Sequence, residues 1–72
     1  MNDVVSLYIE AENGNLLVYE VPVGRGNHDW QSECEEVMRT VGASRARAHR
    51  RMGETVTIFF VNLELEKRWH VA

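Results

Sequence analysis

Few residues in this 72-residue chain are of the types that do chemistry, and their spacing decides how each is read. Cys34, His28, His49 and His70 are the candidate metal ligands or nucleophile–base partners. None forms the C-x2-C or H-x3-H spacing that brings paired ligands to one zinc ion, so no metal is expected. A Cys–His pair would need an exposed, activated thiol. Cys34 instead falls in step with Trp30 and Val37 on one helical face, which predicts a buried core thiol. His28 and Asp29 resemble a base and its orienter, but adjacent helix residues do not face each other, and they read better as helix caps. Gly24 and Gly26 give only a G-x-G. Without a third glycine and a strand–loop–helix parallel unit, they mark the loop before a helix. Glu64 and Glu66 alternate with Leu63 and Leu65, as on a half-exposed strand or turn. These residues make no catalytic constellation, and neither an enzyme activity nor a cofactor is expected.

What remains is charge. "GASRARAHRRMGET", residues 42–55, gathers Arg45, Arg47, His49, Arg50 and Arg51 in a chain of net charge −3. Residues 1–36 hold eight acids against Arg25, a balance of −7; residues 37–72 hold seven bases against three acids, +4. From Arg45 to His49 arginine and alanine alternate strictly, Gly53-Glu54 sits where a two-residue turn belongs, and "TVTIFFVN" beyond it is rich in β-branched and aromatic residues. The expected hairpin pairs 44–52 with 55–62. A short second helix over 44–52 is the alternative, because no β-branched residue lies between positions 43 and 52.

The turn sets the register: Met52 faces Thr55, Ala48 faces Phe59 and Ala46 faces Val61, while His49 faces Ile58, Arg47 faces Phe60 and Arg51 faces Val56. Alternation sends these two sets to opposite faces. Alanines opposite large residues make a bed for a helix. The other face carries Arg45, Arg47, His49 and Arg51 beside Val56, Ile58 and Phe60. Arginine stems cover apolar area while their guanidinium groups stay wet, so a plain solvated face would account for it, as would neutralisation of the acidic helix and first hairpin. Arginine beside an exposed aromatic is also the composition of interface hot spots. The candidate partner-binding residues are Arg45, Arg47, His49, Arg51, Ile58 and Phe60.

A non-enzymatic protein-binding module is therefore the expected function, its partner a protein with an acidic or mixed surface. Small α+β chains of this kind are common among phage and mobile-element products that block a host machine by binding it. By frequency alone, an inhibitor or adaptor of a larger complex is the expected kind of binder. Nucleic acid is the second reading, with arginines on phosphates and Phe60 as a stacking platform. The pI near 5.5 counts against it, as does the lack of a ribonucleoprotein motif, a GxxG loop or a zinc knuckle.

The elements that must hold this face follow from pattern. Residues 4–11 and 16–23 read as strands joined at Asn13-Gly14 by a type I′ turn, which pairs Glu12 with Asn15, Tyr8 with Tyr19 and Ile9 with Val18. Pro22 has no N–H for a ladder, so its strand ends there or lies on an edge. Asn27 or Asp29 caps a helix over 28–41 with Asp29, Glu33, Glu35 and Glu36 in its first turns. Trp30, Cys34, Val37 and Val41 recur at helical spacing with Met38 beside them, and Gly42 ends the helix in the left-handed region. An unbroken strand from 55 to 71 would run about 56 Å, so a break over 62–66 precedes a last strand at "KRWHV", with Trp69 in the core. The order is ββαβββ (runner-up ββααββ): an α+β fold, a small two-layer domain spanning 1–72, with one helix packed on an antiparallel sheet.

A chain this short buries only about 60% of its unfolded surface, and one cysteine supplies no disulfide. Self-association is the remaining staple, so a homodimer is expected, its contact at a sheet edge before the arginine face, where a two-fold axis would bring like charges together. Hydrophobic content of 44% fits a folded domain. The opening "MNDVVSLYIE" lacks the basic start of a signal peptide, and the longest apolar run, 58–61, is too short for a membrane span. A complete cytoplasmic chain with no membrane contact is expected, the lone cysteine suiting a reducing compartment.

Overall fold

The computed structural model describes residues 4–10, 13–23 and 29–72. Their order is β1 (Val4–Glu10), β2 (Leu16–Pro22), α1 (Trp30–Val41), β3 (Arg45–Met52), β4 (Thr55–Asn62) and β5 (Trp69–Val71). The strands form one antiparallel sheet in the order β2-β1-β3-β4-β5, and α1 lies on one face of it. This is the expected α+β arrangement, ββαβββ.

Asp29 caps α1. Its extended backbone (φ −90°, ψ 94°) turns the carboxylate onto the N–H groups of Gln31 and Ser32 at 3.1 and 3.2 Å, and Ser32 Oγ donates to it at 2.7 Å. The other cap considered, Asn27, and His28 lie outside the described residues. At the far end Gly42 adopts φ 76°, its N–H donating to the Arg39 carbonyl while the Ala43 N–H reaches that of Met38. This pair of bonds satisfies two of the orphan carbonyls and stops the helix. The chain is then free to turn into β3, so no second helix forms over 44–52. β3 lies between β1 and β4, and its ladder bonds on both sides override the helix propensity of its arginines and alanines.

β3 and β4 pair in the expected register, Met52 opposite Thr55, Arg47 opposite Phe60 and Ala48 opposite Phe59, with Gly53 at φ 62° in the turn. The first hairpin differs from expectation by one residue. Glu10 pairs with Leu16, Tyr8 with Val18 and Leu7 with Tyr19. A type I′ turn needs positive φ at both Asn13 and Gly14. Only Gly14 has it (φ 85°), while the Asn13 side chain accepts the Asn15 N–H at 3.0 Å. Glu12 lies outside the described residues. A one-residue slip exchanges faces, so Tyr8 and Tyr19 lie on opposite sides of the sheet and form no cross-strand pair.

The core sits between the sheet and α1. Val5, Leu7 and Ile9 of β1, Val21 of β2, Ala46 and Ala48 of β3 and Val61 of β4 are buried beneath Cys34 and Met38. Alternation along β1 places its three large side chains on this face, each worth about 1.5–3 kcal/mol of burial. The helix is rotated slightly from its expected setting: Met38 is fully buried, whereas Val41 is 36% exposed. Trp30, Phe59 and Trp69 pack their rings 5.3 to 5.9 Å apart at one end. The break between β4 and β5 begins just past Asn62, where the Leu63 N–H reaches the Ser44 carbonyl at 2.8 Å. Across it Glu35 of α1 ties down the last strand. Its carboxylate accepts the Trp69 indole N–H at 3.0 Å and the Arg68 guanidinium at 2.8 Å, with Arg39 at 3.3 Å. Among the described residues no helix is long and apolar enough to cross a membrane.

Candidate functional site

Because α1 covers one face of the sheet, every second residue of each strand is left on the other. The ladders set these residues in rows. One row crosses the sheet as Val18, Tyr8, Arg47, Phe60 and His70. The next runs Glu20, Ser6, His49 and Ile58, and the row nearest the β3–β4 turn holds Val4, Arg51 and Val56. Arg45 begins the series at the other end, opposite Asn62. The six expected site residues therefore share one uncovered face, with the β3 cations spaced about 7 Å apart along the strand.

Their surroundings differ. The Arg47 guanidinium carbon stands 6.0 Å from the Phe60 ring centroid, at the outer edge of cation–π contact. The His49 imidazole tilts against Tyr8 with ring centres 4.6 Å apart. Arg51 turns back on its own hairpin, Nε donating to the Gly53 carbonyl at 3.0 Å. The apolar members are open to solvent: Phe60 is 49% exposed, Val56 52% and Ile58 37%. Shallow depressions lie on either side of Arg45 and Arg47. One, of about 530 Å³, is lined by Tyr8, Glu10, Leu16, Arg47 and His49; the other, of about 370 Å³, by Arg45, Phe60, Leu65 and His70.

Sequence reasoning did not place the β1 and β2 side of this face. Tyr8, Leu16 and Val18 join it, as do the acids Glu10 and Glu20. The signal was present in β1, where Val5, Leu7 and Ile9 form the apolar set and so leave Tyr8 and Glu10 opposite. His70, expected only as a strand residue, is exposed beside Phe60.

Glu35 of the acidic helix is neutralised by other residues. Arg68 and Arg39, not the β3 arginines, hold Glu35. Burial alone would raise the Glu35 pKa, but the Trp69 and Arg68 hydrogen bonds and the charges of Arg68 and Arg39 outweigh it and hold the carboxyl below its usual value. Arg50, the fifth cation of the cluster, points to the helix side. Its guanidinium carbon lies 5.0 Å from the Trp30 ring centroid, and its buried Nε has no hydrogen-bond partner among the described residues.

The remaining chemical candidates are dispersed. Cys34 is fully buried, and burial, with the nearby charges of Glu33 and Glu35, pushes its thiol up to about 12. A thiol so held stays protonated at neutral pH. Among the described residues no three His, Cys, Asp or Glu side chains come together as metal ligands.

Fold and face together define a small α+β protein with a helix on one side of a five-stranded antiparallel sheet and a mixed basic and apolar surface on the other. No protein family, curated protein or solved structure matches the chain.

Proposed function

We propose that the chain is a non-enzymatic protein-binding module, an inhibitor or adaptor of a larger complex, and that it engages its partner through the uncovered face of the sheet. One observation carries the reading: Arg45, Arg47, His49 and Arg51 run down the middle of that face, with exposed apolar side chains on both sides of them. Scattered apolar residues on a surface need no explanation, but Val18 and Tyr8 neighbour each other on one side of the cations and Phe60, Ile58 and Val56 line the other. The cations steer an acidic surface into place, and burial of Phe60 and its neighbours then holds it. Capture from a native lysate with the wild type and with Arg47→Glu/Phe60→Ala tests this. The wild type is expected to retain proteins that the double variant loses; equal recovery of the same proteins contradicts the reading.

The second reading, nucleic acid on the same face, is favoured by Tyr8 and Phe60 flanking Arg47 in one row. Glu10 and Glu20 on that face and the pI near 5.5 oppose it. Phosphate contacts would make affinity fall with salt by roughly one log–log unit each. No binding of single- or double-stranded RNA or DNA at low salt is expected, and a steep salt-dependent affinity would favour nucleic acid.

A further inference from the structure

The tip of the first hairpin carries chemistry that is independent of the arginine face. Asn13 and Gly14 are both exposed there, and Gly14 sits at φ 85° with nothing within 4 Å of where a Cβ would stand. Asparagine is a labile residue, and before glycine it can react with its own backbone. The Gly14 backbone nitrogen attacks Asn13 Cγ and gives up its proton, the Cγ–Nδ2 bond breaks, and the side-chain nitrogen leaves with that proton as ammonia. Water then opens the cyclic succinimide at either carbonyl. Position 13 ends as aspartate, or as isoaspartate, whose main chain runs through the former side chain. Water is the sole co-reactant.

Asn62 shows what sets Asn13 apart. Its Oδ1 accepts the Glu64 N–H at 3.0 Å, just as Asn13 Oδ1 accepts the Asn15 N–H at 3.0 Å, so the two side-chain carbonyls are polarised alike. The nucleophiles differ. The nitrogen after Asn62 belongs to Leu63; its N–H is held by the Ser44 carbonyl at 2.8 Å, and its side chain packs against the core. Among the described residues the Gly14 N–H donates no hydrogen bond. Reaction at Asn62 must wait for the β4–β5 corner to open, whereas an exposed turn opens at almost no cost. Asn15 is followed by Leu16, the first residue of β2, whose side chain crowds the attacked carbon.

We infer that Asn13 is a site of spontaneous deamidation in the folded protein, selective over Asn15 and Asn62. The product changes its surroundings in two ways. Asn13 lines a depression of about 650 Å³ together with Glu10, Ser44, Arg45 and the C-terminal end of α1. A carboxylate there adds one negative charge to a space shared with an acid, an arginine and the negative end of the helix dipole. The isoaspartate form also lengthens the main chain by one methylene, in the loop whose length sets the β1–β2 register.

The test holds the full chain at pH 8, folded and in parallel unfolded in urea, and follows each asparagine by peptide mapping and mass spectrometry. Labelling by an isoaspartyl methyltransferase counts the isoaspartate formed. Asn13 in the folded protein is expected to convert within about tenfold of its rate in urea, because its turn opens at little cost. Asn62 should stay intact in the folded protein over the same period. Asn13→Ser keeps a weaker side-chain acceptor for the turn but has no amide to lose, and should form no isoaspartate there. Asn13→Asp, which adds the charge without the loss of ammonia, should shift the amide NMR signals of Glu10 and Arg45 as the aspartate fraction of the aged wild type does. Asn13 that stays intact in the folded protein while it converts in urea overturns the inference. Equal conversion of Asn13 and Asn62 in the folded protein does so too.

Discussion

Substituting Glu35 by alanine removes one carboxylate that ties α1 to β5 and to the segment just before it, and the size of the loss can be worked from its contacts. The side chain is only 14% exposed and accepts the Trp69 indole N–H at 3.0 Å. A hydrogen bond to a charged group contributes about 1.5–3 kcal/mol, and deleting the acceptor leaves a part-buried indole N–H without its partner. The two arginine pairs add less, because Arg68 is 42% and Arg39 57% exposed and water screens them. Alanine's better helix propensity returns a few tenths of a kcal/mol. The net expectation is a loss of about 2–3 kcal/mol from a total of about 4–11 kcal/mol for a chain of this length. Thermal unfolding followed by circular dichroism should show Tm lowered by about 10–20 °C. Glu35→Gln, which keeps an acceptor for the indole, should lose about half as much. The pH dependence follows in sign. The folded carboxyl titrates below its usual value of 4.5, so its contribution is present above that pH and is lost as pH falls through the folded value. The gap between wild type and Glu35→Gln should therefore close on acidification. A Glu35→Ala protein that melts within about 2 °C of the wild type would refute the reasoning.

Gly42→Ala is expected to cost about 1–2 kcal/mol and lower Tm accordingly. Its φ of 76° strains an L-residue, while an added Cβ meets nothing within 4 Å, so an unchanged Tm would contradict the cap assignment. Cys34 in the native protein should resist a thiol reagent at pH 8 and react only as urea opens the fold, because its thiol is fully buried and pushed up to about 12. Native-state labelling as fast as a free cysteine would show that the helix face is wrongly placed.

The parts of the fold legible in the sequence were those set by local chemistry. Gly42 stops a helix wherever the chain goes next, and Gly53-Glu54 fixes the β3–β4 register, which placed Arg47 against Phe60 and His49 against Ile58. The first hairpin misled because Asn-Gly is a strong type I′ signal, yet here Asn13 bonds Asn15 through its side chain and only Gly14 takes positive φ. Burial of Val5, Leu7 and Ile9 against the helix, a tertiary demand, goes with the register observed. The same limit hid half of the candidate site. Nothing local says that β1 inserts beside β3, and it is this non-local pairing that brings Tyr8 against His49 and aligns Val18, Tyr8 and Arg47 in one row.

The claim that the uncovered sheet face meets a protein partner is tested most directly by hydroxyl-radical footprinting of the chain, free and in the complex it captures from a native lysate. Tyr8, Ile58 and Phe60 are exposed or half-exposed and reactive when free, so partner binding through this face should protect all three. Val41, which is 36% exposed on the helix side of the sheet, should label equally in both states. Unchanged labelling of Tyr8, Ile58 and Phe60 in a complex that protects the helix instead would contradict the account.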